Sequence, residues 1–256
     1  MRFVRFRSQG GARWGVVKDD KVQPVEGNVM GAWRATGPPR PLKGLRLLAP
    51  CEPTKIVAVG LNYKSHAQEI NVPLPKDPVV FLKPPTSLIG PDQPIAYPKR
   101  SSRVDYEAEL ACVIKKTARR VLTKDALKYI WGYTCLNDVT ARDIQVWGGH
   151  YMYLGWAKGY DTFCPVGPWI ETGVDPDNVQ VECYLNGERK QSASTSDFIF
   201  AMAEQISVVS HIMTLLPGDL LATGTPSGIG PMKVGDEVEI RISGIGSLKN
   251  PIVAEG

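Results

Sequence analysis

The stretch "SSRVDYEAELACVI", residues 101–114, reads as a buried β-strand that carries two glutamates. Successive side chains of a strand point to opposite faces, so Glu107 and Glu109 stand side by side while Ala108, Leu110, Cys112 and Ile114 fill the opposite, core-facing side. Two adjacent carboxylates repel each other unless a cation or a proton intervenes. A second strand, "WGYTCLND", ends at Asp138, just before a helical segment whose Thr140 and Asp143 are spaced like a capping box. Three hard oxygen donors with no partnered histidine point to Mg²⁺, or to Mn²⁺ as a substitute. A plainer reading makes the E-x-E pair the wet face of an edge strand and Asp138 a helix cap.

Outward from this stretch the signals stay mainly β. "KIVAVG", "PVVFLK", "VQVECYLNGERK" with an Asn186-Gly187 hairpin turn, "GDLLATG" and "GDEVEIRIS" read as strands. Residues 2–6, 13–17 and 21–25 read as three more, followed by the Pro/Gly-rich "ATGPPRPLKG" at 35–44. Helices are fewer: "NYKSHAQEI", "TKDALKYI", "TARDIQVW" and the amphipathic "AMAEQISVVSHIMTLL". With no regular strand–helix alternation and no repeat, the expected class is mainly β (α+β), and a doubly wound nucleotide fold is not expected. The expected division is a small N-terminal β domain over 1–45, ending in the Pro/Gly linker, and a catalytic domain over 46–256.

Composition is that of an ordinary globular enzyme: 256 residues, 43% hydrophobic and 22% charged. A net charge of +4, scattered along the chain, suits anionic small molecules and gives no ground for nucleic-acid binding. No stretch approaches 18 apolar residues and "MRFVRFRSQG" lacks an apolar signal core, so no membrane association and a cytoplasmic location are expected. The five cysteines, Cys51, Cys112, Cys135, Cys164 and Cys183, are odd in number and sit in apolar segments, as small buried hydrophobes do in a reducing compartment.

The motifs "GLNYKSHAQE", "FLKP", "DYEAEL", "NDVTARDIQ", "KGYDTFCPVGP" and "GDLLATGTPSGIG", in this order over residues 53–253, make the sequence resemble the fumarylacetoacetate hydrolase family, with its 2-hydroxyhepta-2,4-diene-1,7-dioate isomerases, acylpyruvate hydrolases and oxaloacetate decarboxylases. The resemblance implies a fold of curled mixed β-sheets with few helices, usually a homodimer, holding one Mg²⁺ through Glu107, Glu109 and Asp138. It implies a 2-oxo (or 2-enol) carboxylate substrate, transformed by C–C hydrolysis, decarboxylation or isomerisation. Lys158 matches the family's active-site lysine, and Gln145 an amide that holds the substrate or an oxyanion. Arg142 and Asp143 are read as fixing the helix around them. Gly224 and Thr225 lie in "ATGTPSGIG", whose glycines let backbone N–H groups approach an anion and whose threonine adds a hydroxyl donor; in the family that threonine contacts the substrate.

His66 and Glu69, three apart and on one face if helical, match a pair that relatives carry on a lid to activate water or move a proton. The short segment 62–71, bounded by Gly60, Pro73 and Pro75, is expected to be mobile without ligand and to order over the metal when an oxo acid binds. His211 is read as structural, and His150 is left open. Between Gln145 and Lys158 the chain departs from the family, with "VWGGHYMYLGWA" where many relatives have a shorter polar stretch with an arginine close to the lysine, a departure that argues against a second, distal carboxylate on the substrate and for aromatics that accept an apolar acyl tail. Other readings are an oxaloacetate decarboxylase or a catalytically silent protein that binds an oxo acid.

Overall fold

Apart from Glu109, the strand Ala108–Ile114 is apolar on both faces, and every residue in it is buried. Its alternation splits the side chains between two cores. Leu110, Cys112 and Ile114 join a large cluster with Val181, Cys183, Ile240 and Leu248. Ala111 and Val113 face the other way, among Ile56, Trp131, Ile170 and Leu220. At roughly 1.5–3 kcal/mol for each large apolar side chain removed from water, this strand anchors the fold. The glutamates stand at its N-terminal end on the second face, where hydrophobic packing stops.

The structure of the protein, a computed structural model, describes residues 1–147, 150, 151 and 153–256, and the side chains of these except at 147, 150 and 151. Ala108–Ile114 lies inside a 13-stranded mixed sheet, between Ile130–Asn137 and Leu220–Ala222. Beyond these run Cys164–Glu171 and Arg2–Ser8 on one side, and Ile56–Gly60 and the edge strand Val79–Lys83 on the other. Most pairings are antiparallel, but Leu220–Ala222 runs parallel to Ile56–Gly60. A five-stranded sheet contains the hairpin Gln180–Leu185 and Glu188–Ser194, whose turn residues Asn186 and Gly187 both have positive φ, as a type I′ turn requires. The fold class is as expected: mainly β, several mixed sheets, few helices.

The N-terminal strands extend as read, to Arg2–Ser8, Gly11–Lys18 and Lys21–Gly27. They join the large sheet, because Arg2 and Phe3 pair with Glu171 and Ile170. Most of the Pro/Gly-rich segment 35–44 is exposed, but Leu42 within it, and Leu45 and Leu47 just after it, cover Val4, Phe6, Val17 and Val22.

The helices are shorter than expected. Residues 201–216 give a helix only over Met202–Ile212, because Leu215 leaves it to bridge to Ala118. "TKDALKYI" forms a 3₁₀ segment, Thr123–Tyr129. Arg142–Gln145 is a single turn, and the capping box does not form there. Thr140 instead donates to the Asp138 carbonyl, and Asp143 accepts from Ser101 and Ser102, so contacts from distant segments displace the local cap. All five cysteines are free and buried. No helix among the described residues is long and apolar enough to cross a membrane.

Candidate active site

Strand register assembles the carboxylates. Ala108 pairs with Asn137, so Ile130–Asn137 ends beside Glu107 and the next residue, Asp138, arrives there. Two bonds fix the junction: the Asp138 N–H donates to the Glu107 carbonyl at 2.9 Å, and the Glu107 N–H donates to Asn137 Oδ1 at 2.9 Å. One oxygen from each of Glu107, Glu109 and Asp138 lies within 4.8 Å of the others, and all three residues are buried. The E-x-E pair is therefore no solvent-facing edge.

On the opposite side, Ala111 pairs with Ala222, which carries residues 223–225 along the start of the strand. The Gly224 N–H donates to Glu109 Oε2 at 2.8 Å. Gly224 has φ +94°, and a Cβ there would come within 2.8 Å of Asn62 Cβ, so only glycine fits. Further along the loop, the Gly228 N–H donates to Glu69 Oε1 at 2.8 Å. The Thr225 hydroxyl donates to the Ala108 carbonyl and accepts from Gln191, so its proton is already used.

Two buried lysines and the half-buried Arg142 face the carboxylates. Lys158 Nζ donates to Asp138 Oδ2 at 2.5 Å, Glu107 Oε2 at 2.9 Å and Thr140 Oγ1 at 2.8 Å. Arg142 reaches Glu107, Asp105 and Gln145 Oε1. Lys83, 1% exposed, donates to Asp138 Oδ1 at 2.5 Å. Sequence reasoning assigned no role to Lys83 or Asp105. For Lys83 a signal existed: alternation along Val79–Lys83 places Val79, Phe81 and Lys83 on one face, and Val79 and Phe81 line the same cavity as the carboxylates.

This environment splits the two glutamates. Burial works to raise the Glu107 carboxyl, but Lys158 and Arg142 outweigh it and hold it well below the usual carboxylate range. Glu109 is pushed well above that range, by burial first and then by the charges of Asp138 and Glu107. Burial works to lower the Lys158 ammonium, but Asp138 and Glu107 raise it, so it stays charged. Glu109 thus lacks a positive partner of its own, and three buried carboxylate oxygens are a donor set that can hold a divalent metal ion.

His66 reaches this cavity from the short helix Lys64–Glu69, with Glu69 behind it. His66 Nδ1 lies 2.8 Å from Glu69 Oε2, leaving Nε2 as the ring's second polar atom. The helix start is tied down: Ser65 N–H donates to Asp197, and the Asn62 amide bonds to the Thr223 carbonyl and the Phe200 N–H. His66, Glu107, Glu109, Asp138, Gln145, Lys158, Gly224 and Thr225 all line one cavity of about 450 Å³. Gln145 has its oxygen taken by Arg142, so the amide N–H₂ is what it has left to offer. His211 is exposed and bonds within its own helix, and the side chain of His150 lies outside the described residues.

Residues 55–253 match the family model "Fumarylacetoacetate (FAA) hydrolase C-terminal". The chain belongs to the fumarylacetoacetate hydrolase family. Residues 1–50 match a second model, "Rv2993c-like, N-terminal". Among solved structures similar to this family member is a 2-hydroxyhepta-2,4-diene-1,7-dioate isomerase from Mycobacterium marinum, 42% identical, with a TM-score of 0.92 over 100% of this chain and 99% of that one. A maleylpyruvate hydrolase from Sphingobium sp. SYK-6, in complex with manganese(II) and pyruvate, is 32% identical, with a TM-score of 0.81 over 100% of both chains. The mitochondrial oxaloacetate tautomerase Fahd2a of Rattus norvegicus is 41% identical over 83% of this chain and 71% of its own. This family therefore supplies isomerase, hydrolase and tautomerase relatives.

Proposed function

We propose that this protein is a Mg²⁺-dependent enzyme of 2-oxo (or 2-enol) carboxylic acids, and that it hydrolyses a C–C bond in acylpyruvate-type substrates. The observation that carries the reading is His66, held 2.8 Å from Glu69, in one cavity with three buried carboxylates. Glu107, Glu109 and Asp138 would hold the Mg²⁺, with Mn²⁺ able to substitute, and the bound ion supplies Lewis-acid polarisation of the oxo-acid oxygens.

Charge balance supports an anionic substrate. The carboxylates of Asp105, Glu107, Glu109 and Asp138 are matched by Lys83, Arg103, Arg142 and Lys158. A divalent ion leaves two positive charges over, which suits a carboxylate bearing a second, developing negative charge. The Lys158 ammonium stabilises that developing charge, and the Gln145 N–H₂ and Gly224 segment position the substrate. His66, oriented by Glu69, takes a proton from water. The hydroxyl adds to the acyl carbon, and the C–C electron pair leaves with the three-carbon fragment, which receives the proton from His66. Products are a carboxylic acid and pyruvate.

A second reading is keto–enol tautomerisation of oxaloacetate, favoured by the rat relative and by a His–Glu pair that can carry a proton without water. A panel of acetylpyruvate, oxaloacetate and 2-hydroxyhepta-2,4-diene-1,7-dioate with Mg²⁺, followed by absorbance and pyruvate release, separates the two. Pyruvate from acetylpyruvate supports hydrolysis. Accelerated decay of enol oxaloacetate with no pyruvate from any acylpyruvate replaces it with tautomerisation. His66→Ala and Glu69→Ala are each expected to lower the hydrolytic kcat by about 10²-fold or more, while oxalate still binds the Mg²⁺ complex within a few-fold of wild type. Undiminished hydrolysis in both variants would remove the pair from the mechanism.

A further inference from the structure

The cavity changes character from floor to rim. Its charged floor is buried, with Glu107, Glu109, Asp138 and Lys158 between 1% and 6% exposed. The rest of its lining includes Ile70, Val72, Val79, Phe81, Leu154 and Ile229, all partly or fully exposed to solvent. Val79, on the edge strand of the large sheet, is 41% exposed. A four-carbon acid held at the floor would leave most of the 450 Å³, and this apolar rim, in contact with water.

Each Lys and Arg lining the cavity is paired with a carboxylate of the protein itself. Among the described residues, the Lys and Arg side chains lining the cavity are Arg103, Arg142 and Lys158. Arg103 gives two nitrogens to Asp105, at 2.9 and 3.1 Å. Arg142 is spent on Asp105, Glu107 and Gln145, and Lys158 on Glu107, Asp138 and Thr140. A distal carboxylate placed against the apolar rim would lose its hydration and meet only cations already paired with carboxylates.

We propose that this site selects 2-oxo acids whose far end is an apolar chain and discriminates against those ending in a second carboxylate. The apolar tail covers Ile70, Val72, Val79 and Leu154 while the oxo-acid head occupies the floor. The proposal rests on the oxo-acid reading of the floor given above, and it narrows the acyl group of the acylpyruvate.

The test is calorimetry on the full chain saturated with Mg²⁺, using 2-oxobutanoate, 2-oxohexanoate, 2-oxooctanoate and 2-oxoadipate. Affinity is expected to rise about three- to fourfold for each methylene along the first three. 2-Oxoadipate matches 2-oxohexanoate in carbon number and ends in a carboxylate, and it is expected to bind at least tenfold more weakly. The double substitution Val72→Ser and Val79→Ser should flatten the chain-length dependence. Equal or tighter binding of 2-oxoadipate, or a chain-length dependence unchanged in the double variant, overturns the tail assignment alone. No binding of any of the four acids overturns the oxo-acid reading and this inference with it.

Discussion

Glu109→Gln is expected to abolish Mg²⁺ binding measured by calorimetry, and turnover with it, while the fold stays intact. Glu109 is the triad member without a cation of its own, and its carboxyl is held well above the ordinary range by burial and by Asp138 and Glu107. The folded metal-free protein therefore keeps this group protonated at pH values where the unfolded chain would release the proton. A raised carboxyl costs stability above the unfolded pKa, and the cost grows as pH rises toward the folded value. The neutral amide removes that cost. Metal-free Glu109→Gln should thus melt at a higher temperature than the metal-free parent at neutral pH, and the difference should shrink as pH falls toward the ordinary carboxylate range. Unchanged Mg²⁺ affinity in the variant would show that the triad does not hold the ion.

Lys158→Ala is expected to lower kcat by about 10²-fold or more, as loss of a donor aimed at developing negative charge does. Its effect on the metal should run the other way. The ammonium now lies against Glu107 and Asp138 and competes with a cation for their charge. Removing it should leave Mg²⁺ affinity equal to or greater than that of wild type. Because an unpaired buried carboxylate is destabilising by several kcal/mol, the comparison is made on the Mg²⁺-loaded protein, and Lys158→Met preserves the packing against Phe81, whose ring lies 5.2 Å from the ammonium. Wild-type kcat in both variants would make Lys158 a structural residue only.

The strand pattern of "DYEAEL" was legible because alternation is a local property. It placed Glu107 and Glu109 on one face, and the following strand brought Asp138 to its end. His66 and Glu69 were legible for the same kind of reason, being one helical turn apart. What lay hidden depends on segments far apart in the chain. Lys83 meets Asp138 only because an edge strand and the end of an interior strand converge, and Asp105 matters only because Arg103 and Arg142 both reach it. The glycine loop was readable as an anion cradle, but only the register of Leu220–Ala222 decides that its Gly224 N–H serves Glu109. Thr140 and Asp143 misled in the same way, since Lys158, Ser101 and Ser102 claim the side chains that a local cap would have used.

Turnover of acetylpyruvate by chelator-stripped protein, before and after one equivalent of Mg²⁺ per chain is restored, tests the central claim most directly. The expected result is no pyruvate from the stripped protein and full pyruvate release once the ion is returned, with Mn²⁺ able to replace it. Equal pyruvate release from the stripped and the reloaded protein would contradict it.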